Sequence, residues 1–276
     1  AVIGAGAMGA ALGGILASRG AQVLSPLEGR SDASLERAEA AGIHHAGWHE
    51  CAACDFVLSV VPSSQALPVA ERLSSSLPTS GGGPVFLECN AIAPDEARRI
   101  GVLLAEAGCS VIDAGILGGP PSPDGSRAPL IYLSGPDASL AAPLGELGLR
   151  LRDIGGPIGA ASALKMALAG ISKGQTALIS MMLLVALREG VSGPFIDQLE
   201  NSQPAIVGWG RAQIPQLGQK AGRWVEEMDI LADFAADIPG GASQFSGLAE
   251  FYAAISSGDW SALSLSELQQ AIARKG

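Results

Sequence analysis

Up to about residue 154, short apolar runs alternate with stretches whose apolar positions recur every three or four residues. The runs predict strands at 1–4, 21–26, 55–61, 84–89, 109–113, 129–134 and 149–154. The longer periods predict helices at 6–19, 32–41, 64–76, 94–107 and 137–147. Such alternation builds βαβ units around a parallel sheet. FVLSVV (56–61) and PVFLEC (84–89) are apolar nearly throughout, as strands covered on both faces must be. Turns rich in glycine and proline, GGGP at 81–84 and GGPPSPDG at 118–125, punctuate the pattern. After about residue 155 the strand signal stops. One long, mostly apolar helix is predicted over 157–190, with others near 193–201, 210–222, 223–237, 243–257 and 264–274. The expected fold is therefore α/β: a doubly wound, mostly parallel sheet over 1–155, then an all-α domain over 156–276, with a cleft between them.

Composition narrows the possibilities. The 276 residues are 48% hydrophobic and 16% charged, with a mean hydropathy of +0.32. Such a chain folds, and it carries more apolar surface than a monomer needs, so a homodimer through the helical domain is expected. A net charge of −10 and a pI of about 4.7 argue against nucleic acid and anionic membranes as partners. Any anionic ligand must meet a local exception to that charge. The first eighteen residues carry no charge, but no basic segment precedes them and glycines interrupt them at fixed spacing. They are expected to form a strand, a turn and a buried helix. The chain begins without Met, almost inside a strand, so residues ahead of it are expected. ALISMMLLVAL (177–187) is too short to span a bilayer and is expected to be a buried helix.

Cys51 and Cys54 have the C-x-x-C spacing of a redox pair or half a zinc site. No second ligand pair stands at suitable spacing, and His44, His45 and His49 would crowd the site. Two small core residues in a short helix, and no metal, are expected. A low cysteine count fits a reducing, cytoplasmic compartment.

VIGAGAMG places Gly4, Gly6 and Gly9 as G-x-G-x-x-G between a strand and a helix. The first glycine permits the tight turn, the second lets the backbone approach a pyrophosphate, and the third lets helix pack on strand. The helix N-terminus then offers N–H groups to the phosphates, which is how an acidic protein holds an anion. This is the context of a Rossmann-type dinucleotide site. The end of the second strand, VLSPLEGRS, leaves the cofactor open. Glu28 could accept from a ribose 2′-OH, which favours NAD, whereas Arg30 and Ser31 could hold a 2′-phosphate. The Arg–Ser pair at a turn points to NADP, with NAD as the alternative.

Lys165 stands alone in GAASALKMALAG (159–170), near the start of the long helix. Hydride transfer to C=O or C=N leaves negative charge on the heteroatom, and a positioned acid must neutralise it. A partly buried lysine suits that task; a lysine that snorkels to solvent is the plainer reading. By helical period Ser162, Ala169, Ser172 and Thr176 share its face. Lys173 is expected on the surface or at a dimer interface, and Arg223 with Glu227 as a solvated ion pair. Trp209, Trp224, Phe245 and Tyr252 are expected in the helical core. Gly118 and Gly119 could bring backbone N–H groups to a substrate oxygen.

Across essentially its whole length the chain resembles the β-hydroxyacid dehydrogenase and 6-phosphogluconate dehydrogenase-like superfamily. GAGAMG (4–9) resembles the family's G-x-G-x-M-G, and GRS (29–31) its NADP-associated Asn-Arg-Thr/Ser turn. SVVPSS (59–64) and ECNAIAP (88–94) resemble segments near the cofactor riboses, DAGILGG (113–119) the substrate motif D-A-P-V-S-G-G, and GPIGAASALK (156–165) the helix bearing a catalytic lysine. The resemblance implies that Gly4, Gly6, Ala7, Met8, Gly9, Arg30, Ser31, Val60, Val61, Pro62 and Asn90 bind the cofactor. It implies that Lys165 is the acid/base and that Leu117, Gly118, Gly119, Ala169 and Ser172 meet the substrate. Three departures stand out: Leu117 replaces a serine, Ala169 an asparagine, and Glu227 stands about where a lysine is usual. They place the chain nearer a divergent phosphogluconate dehydrogenase-like branch related to imine reductases. The expected activity is an NADP-dependent oxidoreductase acting on a small carbonyl/hydroxy or imine/amine substrate. The alternative is a non-catalytic NADP(H)-binding sensor or scaffold.

Overall fold

The computed structural model describes residues 1–78, 82–121, 128–258 and 264–273. Parts of the turns expected at 81–84 and 118–125, and residue 274, lie outside them. The chain forms two compact units, Ala1–Met166 and Ala167–Gly276. The first contains β1 (Val2–Ile3), α1 (Ala7–Ser18), β2 (Val23–Ser25), α2 (Asp32–Ala40), β3 (Ile43–His45), α3 (Trp48–Ala52) and β4 (Phe56–Ser59). It continues with α4 (Ala66–Ser74), β5 (Val85–Glu88), α5 (Pro94–Glu106), β6 (Ser110–Leu117), β7 (Leu130–Ser134), α6 (Ala142–Glu146) and β8 (Arg150–Asp153).

The main sheet has the order β1-β4-β5-β6-β7-β8, and β2 pairs with β3. All pairs are parallel except β6 with β7. Neighbouring residues of each central strand enter opposite cores. Val2, Leu58, Leu87 and Ile112 belong to one core, and Ile3, Val57, Phe86 and Val111 to the other. Helices therefore cover both faces, which is why these strands read as unbroken apolar runs.

Some elements differ from the expectation. β3 and α3 are too short for periodicity to detect. β6 continues past 113 to Leu117 because β7 pairs with it residue for residue, from Asp113↔Ser134 to Leu117↔Leu130. That ladder overrides the low strand propensity of Gly115. The helix expected over 137–147 is a 3-10 turn, Ala138–Ala141, followed by α6 with Pro143 in its first turn.

α7 (Ala160–Arg188) begins in the first unit. The second unit continues with α8 (Ser192–Ser202), α9 (Pro204–Gln213), α10 (Leu217–Phe234), α11 (Gly241–Ser257) and α12 (Leu265–Ala273). The break expected at 222/223 lies instead at the 3-10 turn Ile214–Gln216, where Pro215 cannot continue the ladder of α9. Trp224 and Tyr252 meet edge to face at 5.1 Å in the α10/α11 core. The run 177–187 is buried on one face only: Ala177, Ile179, Leu183 and Ala186 are buried as expected, and the opposite face is not. Leu168, Ile171, Leu178, Met182 and Val185 form an exposed stripe at steps of three, seven, four and three residues, with the partly buried Gln175 in the long gap and with Ile171 at 72% and Leu178 at 57% exposure. By length and composition α7 is long and apolar enough to cross a membrane.

Candidate functional site

Four buried polar residues lie in one register row across adjacent strands: Ser59, Glu88 and Ser134 end β4, β5 and β7, and Asp113 stands midway along β6. Burying them demands partners. Asp113 finds them at the start of α7. One carboxylate oxygen accepts the N–H groups of Gly159 (2.8 Å) and Ser162 (3.0 Å) and the hydroxyl of Ser134 (3.1 Å). The other accepts the Ser162 hydroxyl at 2.6 Å. The Ala161 N–H donates to Ser134 Oγ at 2.9 Å. These bonds satisfy first-turn donors that a helix leaves unpaired and place a carboxylate at the positive end of its dipole. Ser162 is thus committed to Asp113.

The helix pinned in this way carries Lys165. Gly115 lets it approach, since a Cβ there would sit 2.7 Å from the Ala161 carbonyl and 3.5 Å from Lys165 Cβ. Lys165 Nζ donates to the carbonyls of Asn90 (3.0 Å) and Cys89 (3.4 Å), just beyond the end of β5. Asn90 is itself a junction. Its Oδ1 accepts the Val61 N–H at 2.6 Å, its Nδ2 donates to Ser59 Oγ at 2.8 Å, and its N–H donates to Glu88 Oε1 at 2.9 Å. The other Glu88 oxygen is buried without a partner. Burial pushes the Glu88 carboxyl up to about 8 from an ordinary 4.5, and the Asp113 charge adds to the rise. The hydrogen bond from Asn90 and the charge of Lys165 act in the opposite direction.

Val61 links this cluster to the glycine loop. A Cβ on Gly4, whose φ is +108°, would meet the Val60 carbonyl at 2.3 Å and Val61 Cγ1 at 2.9 Å. A Cβ on Gly9 would lie 1.9 Å from the Gly4 carbonyl. Gly6 differs: a Cβ there would meet nothing within 4 Å. Gly6 is also the N-cap of α1, without a side-chain cap, and the first turn of α1 holds no acidic residue. The exposed backbone at Gly6 and Ala7, beside the partly buried Met8, leaves first-turn N–H groups available. Two glycines are thus required by packing and the third by whatever approaches. That is a cradle for a pyrophosphate.

Arg30 and Ser31 lie at the N-terminus of α2, where Ser31 is the N-cap. The Ser31 and Ser34 hydroxyls share a hydrogen bond, and Arg37 donates to Ser34 Oγ and to the Ala5 carbonyl of the glycine loop. Arg30 and Glu28 line a cavity of about 430 Å³ with His45, Trp48 and Arg72. A wider cavity, about 1220 Å³, opens by the amino ends of β1, β4 and β5 near Val2, Phe56 and Val85. Open α/β sheets take ligands at the other end, so that cavity is not the cofactor site. Pro62 is exposed behind Val61. Leu117 ends β6, and Gly118, at φ +109°, and Gly119 follow it on the surface.

Ala169 and Ser172 belong to the second unit and are partly buried. Thr176 is fully engaged, donating to the Ser172 carbonyl at 2.8 Å and accepting the Trp209 indole N–H at 2.9 Å. Lys173 is not a surface lysine, and Glu227 does not pair with Arg223. Instead Lys173 and Glu227 form a salt bridge, with side chains 14% and 27% exposed. Glu88, Asp113 and Gly115 stand inside the motifs at 88–94 and 113–119 but carried no assigned role, and Ser134 and Arg37 were not singled out by the sequence. A polar residue interrupting each apolar strand was the available signal for Glu88, Asp113 and Ser134.

The family model described as the NAD binding domain of 6-phosphogluconate dehydrogenase matches residues 1–143. A second, for a domain of unknown function (DUF1932), matches residues 186–255. No curated protein is detectably similar to the chain. Among solved structures, the chain resembles conserved protein MTH1747 of unknown function, itself described as similar to 3-hydroxyacid dehydrogenases. Identity is 25%, coverage is 99% of this chain and 98% of that one, and the TM-score is 0.73. It also shares the fold of Mycobacterium tuberculosis 3-hydroxyisobutyrate dehydrogenase, at 18% identity, 99% and 98% coverage and a TM-score of 0.73. The Aspergillus terreus reductive aminase, solved with NADPH and ethyl-5-oxohexanoate, matches at 20% identity, 98% and 97% coverage and a TM-score of 0.56.

Proposed function

The chain belongs to the family of the NAD binding domain of 6-phosphogluconate dehydrogenase, and from that premise we propose that it is an NADP-dependent oxidoreductase. Its substrate is a small carbonyl/hydroxy or imine/amine compound, and Lys165 is the general acid/base. The observation that carries this reading is Lys165 Nζ at the Asn90 carbonyl, in the same unit as the glycine cradle and joined to it through Val61. The cofactor supplies or accepts hydride when bound. Gly6, Ala7 and Met8 receive its pyrophosphate through backbone N–H groups. Arg30 and Ser31 favour a 2′-phosphate, and Arg72, in the same cavity as Arg30, supports that preference over the opposing Glu28. Lys165, held by two carbonyls, delivers a proton to the substrate heteroatom or removes one in the reverse direction.

Purified protein with NADPH and a panel of ketones, aldehydes and cyclic imines tests this. Turnover of any of them supports an enzyme. Tight NADPH binding with no turnover favours the sensor reading, which Leu117 and Ala169 motivate. Tighter binding of NADH than of NADPH would remove the NADP assignment.

The partner proposed for the α7 stripe is a second copy of the chain. A one-sided seam at heptad-like spacing suits helix against helix, whereas lipid contact favours an apolar surface all round. Sedimentation with and without lipid vesicles separates the two.

A further inference from the structure

Beyond the redox reading, the geometry points to a binding site for a small aromatic carboxylate inside the second unit. A cavity of about 270 Å³ lies among Lys173, Lys220, Arg223, Trp209, Trp224 and Ser172. Its charge runs against that of the chain as a whole, which is −10. Three cations face it, and one carboxylate, Glu227, pairs with Lys173. Among the described residues no carboxylate forms a salt bridge with Lys220 or Arg223. A local excess of positive charge in an acidic protein draws in an anion.

The walls define the rest of the ligand. Lys173 Nζ and Lys220 Nζ lie 5.8 and 5.9 Å from the Trp224 ring centroid, so the indole helps hold both ammonium groups in place. Trp209 is fixed by its hydrogen bond to Thr176, and Thr176 by its own to the Ser172 carbonyl. The half-buried Trp209, fixed in this way, offers flat apolar surface, Trp224 is buried behind the two ammonium groups, and the guanidinium of Arg223 matches the paired oxygens of a carboxylate. The indole wall at Trp209 favours an anion with an aromatic body over inorganic phosphate. The small volume limits the body to about one ring system.

Calorimetric titration of the full chain with benzoate, benzamide and inorganic phosphate tests this site without cofactor or turnover, so it fails or stands separately from the redox reading. Saturable 1:1 binding of benzoate is expected, with benzamide and phosphate each at least about tenfold weaker. The double variant Lys220→Gln/Arg223→Gln changes exposed or half-exposed side chains and should keep the unliganded melting temperature. It should weaken benzoate by about tenfold or more. Equal binding of benzoate and benzamide, equal binding of benzoate and phosphate, an unaffected double variant, or no benzoate binding would each overturn the proposal.

Discussion

Lys165 Nζ lies 3.0 Å from the carbonyl oxygen of Asn90, and the Asn90 side chain holds the Val61 N–H and the Ser59 hydroxyl. One residue thereby couples the lysine to the loop that packs on Gly4. Asn90→Ala should destabilise the protein by about 1–3 kcal/mol, because buried groups lose their partners. NADPH affinity should fall with it, since Val61 is no longer tied down. Urea denaturation and NADPH titration measure the two effects.

Asp113 accepts bonds from Gly159, from Ser134 and twice from Ser162. Asp113→Ala should cost about 3 kcal/mol or more, as each orphaned buried donor costs about 1–3 kcal/mol. The loss appears as a lower urea midpoint with an unchanged slope.

The glycines should separate by role. Gly9→Ala forces a Cβ to 1.9 Å from the Gly4 carbonyl and should destabilise the fold strongly. Gly6→Ala meets no atom within 4 Å and should fold normally while losing NADPH affinity. Thermal melts with and without NADPH distinguish the two outcomes.

Glu88 sets a pH dependence of stability. Its folded carboxyl is raised from 4.5 to about 8, so the folded state keeps a proton that the unfolded chain releases. This contribution is full below pH 4.5 and is lost as pH rises towards about 8. Wild-type melting temperature should therefore fall across that window, and Glu88→Gln should flatten the fall. An identical slope in the variant would contradict the assignment.

Ile171→Glu/Leu178→Glu places two charges in the exposed stripe of α7. If the stripe is the seam between two copies, the variant sediments as a monomer and the parent as a dimer. Equal masses would refute the seam.

The glycine loop was legible because steric demand leaves few alternatives: Gly4 and Gly9 admit no Cβ at all. The place of Lys165 near the start of the long helix was legible in the helical pattern of its segment. The row Ser59–Glu88–Asp113–Ser134 was not. Each residue appears singly in an apolar strand, and strand register alone brings them side by side. The Lys173–Glu227 pair was hidden for a similar reason, since packing of α10 beside α7 joins distant positions. Arg223, one turn from Glu227, was the nearer candidate by sequence. The stripe on α7 was misread as buried because apolar content does not say which face meets a partner.

The most direct test of the account is Lys165→Ala, compared with the parent for NADPH affinity and for turnover of whichever carbonyl or imine the parent reduces. The predicted result is NADPH affinity within about threefold of the parent and turnover lower by about 10²–10⁴, the range a positioned acid/base supplies. Unchanged turnover in Lys165→Ala would contradict the proposed role of this lysine.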